Sequence, residues 1–491
     1  MKRVVVVGGG IGGLAAAALL GRAGHRVTLL EANGWLGGKS RRIELDGQRV
    51  DTGPSLLTFP DVWAEFLRRW DALGRDGAGI ANEDLGSNVT FTSQGEAAEV
   101  AGLKLRRLPE LGRYYYRDAR SSLPVKEGHP WRAAWERFVE IHGGLGREVT
   151  RLLTTDPLDR RTLPALRRLL QVYGAKLTTR RYLDDLRWLP EGLREIIAIH
   201  TLNAGVAPTR TPALYASMPA VIAVDGIFVP EGGVYELVFG LERLARHAGV
   251  EIRPGEPVHV IEQARVTTAE MEYRADAVVS ALDADRLEEM LNPGRKLVLK
   301  KLSCSGVAVY AVLQEELPME VATHSVVLPS EPAALYASLE TGEEPKQTMA
   351  FVNHYRPGEV YPNEKGTLAL LFTAPANGRE YGLEDAFVAR EIERVSRAIG
   401  LPRPATEYFG KLKILHPRYF GAWGSAGGAL YGAIRPVWQR GPLHRPQYSD
   451  RERPWLWRVG ASVHPGGGIP AVLGGAMISV NRLLQFLGNN G

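Results

Sequence analysis

The chain has 491 residues, 45% of them apolar and 23% charged, with a formal net charge of +5. That length fits two or three structural units around a large core, and the composition excludes disordered and fibrous classes. A single cysteine, Cys304, excludes an intramolecular disulfide and any thiolate-built zinc or iron–sulfur centre, as expected in a reducing cytoplasm, and no aromatic-interleaved basic motif points to nucleic acid.

Lys2 and Arg3 followed by an apolar run imitate a signal peptide, but Gly8, Gly9, Gly10, Gly12 and Gly13 interrupt the run. No later window offers the roughly 18 uninterrupted apolar residues of a spanning helix. The expectation is a protein that is soluble or rests on a membrane surface.

Residues 4–7 are four valines, a run suited to a strand buried on both faces. They lead into Gly8-Gly9-Gly10-Ile11-Gly12-Gly13, which contains G-x-G-x-x-G as Gly8, Gly10 and Gly13. Residues 14–20 predict a helix, and a second apolar run, 27–30, ends at Glu31. Gly8 permits a tight turn, Gly10 lets the backbone approach a pyrophosphate, and Gly13 lets helix and strand pack closely. The helix N-terminus offers unpaired N–H groups and a positive dipole end to phosphates. Glu31, about twenty residues on, can accept ribose hydroxyls, and its charge disfavours a 2′-phosphate. The motif alone is weak; strand, turn, helix, strand and acid in this order define a dinucleotide site.

Beyond Glu31 come Gly37-Gly38-Lys39-Ser40-Arg41 and then Asp51-Thr52-Gly53-Pro54-Ser55. Here the chain resembles the flavin amine oxidase superfamily, which carries a G-G-[RK] element after the acid and then a D-x-G-[PS] turn. The resemblance implies FAD, with Lys39, Arg41 and Gly53 at positions that contact it. Two further segments narrow the resemblance to the phytoene desaturase-like carotenoid desaturases. One runs from Gly226 through Pro230-Glu231-Gly232-Gly233 into a helix at 235–247, short strands at 250–252 and 258–261, and a strand at 275–281. By analogy Val258 or Val260 lies near the adenine. The other spans residues 457–472 and contains Gly460, Val463, His464, Gly468, Ile469 and Pro470, similar to the family's G-x-x-T-H-P-G-x-G-I-P. Val463 stands where the family has threonine, so one hydroxyl contact is missing. The following helix, 471–487, is expected to point its N-terminus at the flavin ring.

The implied fold is α/β. A Rossmann-type FAD-binding domain is assembled from residues 1–75, 226–290 and 431–491, with a substrate and helical, membrane-facing cap region at 76–225 and a β-sheet substrate domain at 291–430. No metal is expected. The implied substrate is a carotenoid drawn from a membrane by a cytoplasmic, peripherally associated enzyme, with quinone or oxygen as final electron acceptor. The short chain, the early first strand and Val463 incline the reading to the branch that desaturates the 3,4 bond of hydroxylated carotenoids; phytoene desaturation is the alternative. An amine or porphyrinogen oxidase and a non-catalytic prenyl-binding escort protein are the readings from other classes.

Desaturation next to a polyene needs no strong protein acid, because the developing allylic cation is delocalised and the cofactor takes the hydride. That matches the lack of any paired-carboxylate, Ser/His/Asp or H-E-x-x-H constellation. His464 is the candidate catalytic residue, polarising the flavin or relaying a proton; its alternative role is to hold the loop. Gln439 and Arg435 follow it as weaker candidates. Covalent flavin attachment is not expected, since Cys304 sits in a strand-like run taken to be far from the C-terminal loop.

The resemblance thins between 75 and 220, where Gly205, Pro208, Tyr215 and Met218-Pro219 still match, and again between 310 and 420. Tyr114, Tyr115, Tyr116, Trp131 and Trp135 either line a polyene channel or belong to the core. Residues 163–189 place Leu166, Leu169, Leu170, Tyr173 and Leu177 at helical spacing among Arg167, Arg168, Lys176, Arg180, Arg181 and Arg187. That pattern fits a helix lying in an anionic interface, or an ordinary surface helix with a solvated basic face.

Overall fold

The four valines at 4–7 occupy the central strand, Arg3–Val7, of a five-stranded sheet in the computed structural model, which describes residues 1–74, 95–294, 301–422, 425–439 and 441–489. All its strands are parallel, in the order Leu456–Arg458, Ala277–Ser280, Arg3–Val7, Arg26–Glu31, Glu251–Pro254. They come from the beginning, middle and end of the chain. A parallel sheet needs cover on both faces, and alternation along the central strand supplies it. Val4 and Val6 pack with helices Ile11–Arg22, Glu236–His247 and Ile469–Asn489, whereas Val5 and Val7 pack under a three-stranded sheet and helix Ala284–Leu291.

A second sheet of seven strands runs in the order Phe409–Leu415, Ser305–Leu313, Thr367–Ala374, Ala350–Tyr355, His324–Val327, Gly112–Tyr116, Ala119–Leu123. Its back face packs on helix Ala386–Ala398 through Val307, Val352, Leu370 and Phe387. Two of its strands come from the 76–225 stretch, which also supplies helices from Arg132–His142 to Met218–Asp225. The 75/76 boundary lies outside the described residues.

Two expectations change. The C-terminal helix is longer than 471–487, and its stretch Ile469–Gly488 is long and apolar enough, by length and composition, to cross a membrane. Over half of that stretch is buried, and Gly474 lies so close to Leu153 that a Cβ there would sit 2.0 Å from the Leu153 carbonyl oxygen. Residues 163–189 form two helices, Leu163–Tyr173 and Thr179–Asp185, because Gly174 at φ +56° breaks the run and leaves Leu177 outside either.

Candidate active site

Glycine-bounded turns converge at the C-terminal end of the parallel sheet. Gly10 precedes helix Ile11–Arg22, and no side chain caps that helix. A Cβ on Gly10 would meet only the Gly38 Cα, at 3.9 Å, so the turn can be approached closely. Gly13 is spent on packing, for its Cβ would fall 2.0 Å from the Gly8 carbonyl oxygen. The second turn docks directly on the first, with Gly37 N–H donating to the Gly9 oxygen at 2.8 Å. Glu31 is buried at the end of its strand; its carboxylate accepts from Gly9 N–H at 2.6 Å and from Asn33 N–H and Nδ2 at 2.9 and 2.6 Å. It holds the turn as well as facing the cleft.

Around these turns opens a cavity of about 1630 Å³. This exceeds the roughly 300–1,000 Å³ of a site for one small ligand, leaving room for a cofactor and a second long molecule. Gly8, Gly10, Gly12, Glu31, Lys39, Gly53, Val258, Gly460, His464, Gly468, Ile469 and Pro470 all line it. Gly13 does not. Arg41 is also absent from the wall: its guanidinium stacks 3.9 Å over the Trp35 ring, and Arg42 beside it is locked to Asp51. Gln439 and Arg435 do not line the cavity either.

Lys39 Nζ donates to the Leu430 oxygen at 2.6 Å. Burial pulls its ammonium pKa down while Asp283 opposes the shift; burial likewise pushes the Asp283 carboxyl up against the pull of Lys39. Asp283 was missed in the sequence, although its signal was there: it follows the 277–280 strand and caps helix Ala284–Leu291 through Asp285 N–H. Tyr310, which accepts the Gly53 N–H at 2.9 Å, and Tyr431, against which Gly467 packs, had no local signal.

Cys304 is a correction. It lines the same cavity as the C-terminal loop, because its backbone bonds to Gly205 and Leu430 bring it beside Tyr431. Burial pushes its thiol up to about 12, so it is protonated at neutral pH and a poor nucleophile. Of the five aromatics weighed as channel lining, only Tyr114 reaches the wall; Tyr115, Tyr116 and Trp135 are buried elsewhere in the core and Trp131 packs against it. Tyr215 and Met218 do line the cavity.

From the dinucleotide turns the cavity follows the front face of the seven-stranded sheet, past Ala308, Leu371, Phe351, Val326 and Tyr114. It reaches the surface between residues 157–169 and 441–442, where Leu166 lines it and is also exposed. Leu158 and Leu163 stand exposed on the first of these segments, and Leu170, Trp438 and Leu443 just beyond them in the chain, Leu158 at 71% and Leu170 at 67%. Of the six cations noted there, Arg180 turns inward to Glu195 at 2.7 Å and Lys176 pairs with Asp185; Arg167, Arg168, Arg181 and Arg187 remain exposed.

Residues 6–70 match a family described as NAD(P)-binding Rossmann-like domain, and residues 82–359 match the flavin containing amine oxidoreductases. The chain belongs to the flavin containing amine oxidoreductase family; it is an oxidoreductase with FAD as cofactor. It is 29% identical over 514 residues to a zeta-carotene-forming phytoene desaturase of Myxococcus xanthus, covering 99% of this chain and 94% of that protein. To a 4,4'-diapophytoene desaturase of Staphylococcus aureus it is 24% identical, covering 98% and 99%. The solved structure of a cyclohexylamine oxidase from Brevibacterium oxydans shares the fold, with a TM-score of 0.57 at 13% identity, covering 100% of this chain and 99% of that one.

The residues present fit FAD. The uncapped helix end and the open Gly10 face suit a pyrophosphate, and Glu31 suits a ribose. Gly460 and the first turn of helix Ile469–Asn489 stand against the first glycine turn, where a Cβ on Gly12 would meet Gly460 N at 3.0 Å and Val472 at 3.2 Å, and with Gly468 they line the same cavity.

Proposed function

We propose that this chain desaturates a carotenoid, at the 3,4 bond of a hydroxylated chain, taking its substrate from a membrane surface on the cytoplasmic side. The observation that carries the reading is the single continuous cavity, lined mostly by apolar side chains, from the dinucleotide turns to a leucine-bordered mouth. The named activities of the two desaturase relatives support the same substrate class. A polyene of roughly forty carbons, at about 0.8 kcal/mol per buried CH₂, would take on the order of 30 kcal/mol to dissolve in water. Such a molecule must pass directly from lipid into the protein. The exposed leucines at 158–170, Trp438 and Leu443, with four exposed arginines nearby, are the contact surface for that passage.

FAD held by these residues would supply the acceptor for a hydride from the substrate carbon beside the polyene. The chain's own residues do the rest. Glu31, Lys39 and the glycine turns hold the nucleotide, and the sheet face and cap helices keep water from the reacting carbons. The proton lost from the neighbouring carbon must leave through a cavity wall on which His464 is the candidate base. His464→Ala is expected to keep bound flavin and to lower kcat about a hundredfold; full turnover with flavin retained would assign His464 to holding the loop, through its carbonyl and the Tyr448 hydroxyl at 2.8 Å.

The reading is tested by expressing the chain in bacteria that accumulate either phytoene or a 1-hydroxylated carotenoid, then recording pigment absorption and mass. A red-shifted product lighter by two hydrogens, formed only from the hydroxylated carotenoid, is the expected result. Conversion of phytoene would move the enzyme to the earlier desaturation. A purified yellow protein inactive in both strains would return it to amine or porphyrinogen oxidation.

A further inference from the structure

Polar side chains gather in one row of the cavity-facing side of the seven-stranded sheet. Cross-strand pairing aligns Ala308, Leu371, Phe351, Val326 and Tyr114 across five strands. The next row toward the Gly53-Pro54-Ser55 turn is Tyr310, Ala369, Asn353 and His324. Of these, Tyr310, Asn353 and His324 line the cavity. The row beyond, Val312, Thr367 and Tyr355, lies outside it, so the polar row is where the cavity closes along this sheet.

Two members of the polar row are tied into the protein. Tyr310 accepts the Gly53 N–H, and His324 Nε2 bonds the Tyr355 hydroxyl at 3.0 Å, which in turn reaches the Ser55 oxygen at 3.4 Å. Burial lowers the His324 pKa to about 4, so its ring is neutral at physiological pH. Asn353 differs. It is only 7% exposed, it shares the cavity face with Phe351, and among the described residues its amide has no hydrogen-bond partner. Its hydrogen-bonding capacity is therefore unused within the protein and open to the cavity, where a ligand carrying a matching polar group would take it up.

We propose that Asn353, with His324 beside it, binds a hydroxyl group near the end of the substrate chain and thereby selects hydroxylated over hydrocarbon polyenes. This rests on the desaturase reading above and deepens it. An amide offers both a donor and an acceptor, and a hydroxyl is the small neutral group that answers both. The row ends on the neighbouring strand at Lys413, which is exposed and lies off the cavity wall, so an ammonium or carboxylate beside Asn353 would find no counter-charge on that wall. The position is consistent as well. The polar row closes the cavity next to the turn of the D-x-G-P element, so an anchored terminus puts bonds a few carbons inward at a fixed distance from it.

The test compares the holoenzyme with its Asn353→Leu variant on a 1-hydroxylated carotenoid and on the same chain lacking the hydroxyl, both delivered in lipid vesicles. Wild-type enzyme is expected to favour the hydroxylated substrate in kcat/KM, and Asn353→Leu to reduce that ratio about tenfold, mainly through KM for the hydroxylated chain. Bound flavin per chain is measured in both proteins; if the leucine variant loses flavin, Asn353→Ala, which removes the amide without adding volume, takes its place. A ratio unchanged by either variant would overturn the proposal while leaving the desaturase reading intact. So would equal losses on both substrates, as expected if Asn353 only orders a water in the adjoining 20 Å³ void beside Asp51 and Tyr361. Wild-type inactivity on every carotenoid would instead overturn the desaturase reading itself.

Discussion

Gly13→Ala is expected to yield a chain that does not retain FAD and melts well below the wild-type protein. The added Cβ would lie 2.0 Å from the Gly8 carbonyl oxygen and 3.1 Å from the Ala281 Cβ. Ordinary van der Waals separation is about 3.5 Å, so the turn must open by more than an ångström. Neither neighbour can yield cheaply, because one is backbone and the other belongs to the strand segment paired beside Arg3–Val7. Overpacking of this kind costs about 3 kcal/mol. The displaced backbone is also the one that meets the pyrophosphate, so cofactor affinity falls with stability. Gly24→Ala is the control. Gly24 has φ +81° but nothing within 4 Å of its Cβ position, so backbone strain of about 1 kcal/mol acts there without a clash. Flavin absorbance per chain and thermal unfolding decide the matter; a yellow Gly13→Ala protein with full flavin content would refute the packing argument.

Arg42→Met is expected to destabilise the protein by about 3–5 kcal/mol at neutral pH. Arg42 donates to both Asp51 oxygens at 2.7 and 3.1 Å, to Glu236 at 2.8 Å and to the Gly232 carbonyl at 2.5 Å. It thus ties hairpin Arg41–Leu45 and Gln48–Thr52 to the turn that begins helix Glu236–His247. Asp51 is almost fully buried; burial pushes its carboxyl up and Arg42 pulls it back. Without the arginine, among the described residues the Tyr235 N–H, at 2.9 Å, is the hydrogen-bond donor that remains to the charge, and Glu236 repels it. The folded-state carboxyl pKa, already raised by burial, then rises further, so over a wider window the folded chain binds a proton that the unfolded chain releases. Stability therefore falls as pH rises through that window, and the deficit is largest at neutral pH and shrinks as pH falls through the raised value. Chemical denaturation of both proteins at neutral and mildly acidic pH measures this. A deficit that does not change with pH would mean that Asp51 is not the buried charge left behind. The double variant Arg42→Met, Asp51→Leu should recover much of the loss, since it leaves no unpaired charge.

Much of the cofactor end was legible in residue order. Four valines, glycines at fixed spacing and an acid at position 31 impose a strand, a turn and a helix by local sterics and periodicity, and the structure places Gly8, Gly10, Glu31 and Lys39 on one cavity. Gly460, His464 and the 468–470 loop were readable for the same reason. Side-chain destinations were not. Arg41 and Lys39 are two residues apart with similar chemistry, yet Lys39 faces the cavity and Arg41 stacks on Trp35, a choice made by the hairpin's pairing with its neighbours. Cys304 looked remote because chain distance says nothing about a wall closed by Gly205 and Leu430.

The sequence by itself determined the dinucleotide turn, which rests on short-range spacing, and its glycine motifs carried the resemblance to the flavin family. Only the tertiary structure decided what the inserted region encloses. Strand register across Ser305–Leu313, His324–Val327, Ala350–Tyr355 and Thr367–Ala374 brings Asn353 and His324 into one row with Tyr310 and closes the cavity beside them. Register is set by which faces are buried against partners elsewhere in the chain, and no local pattern carries that information.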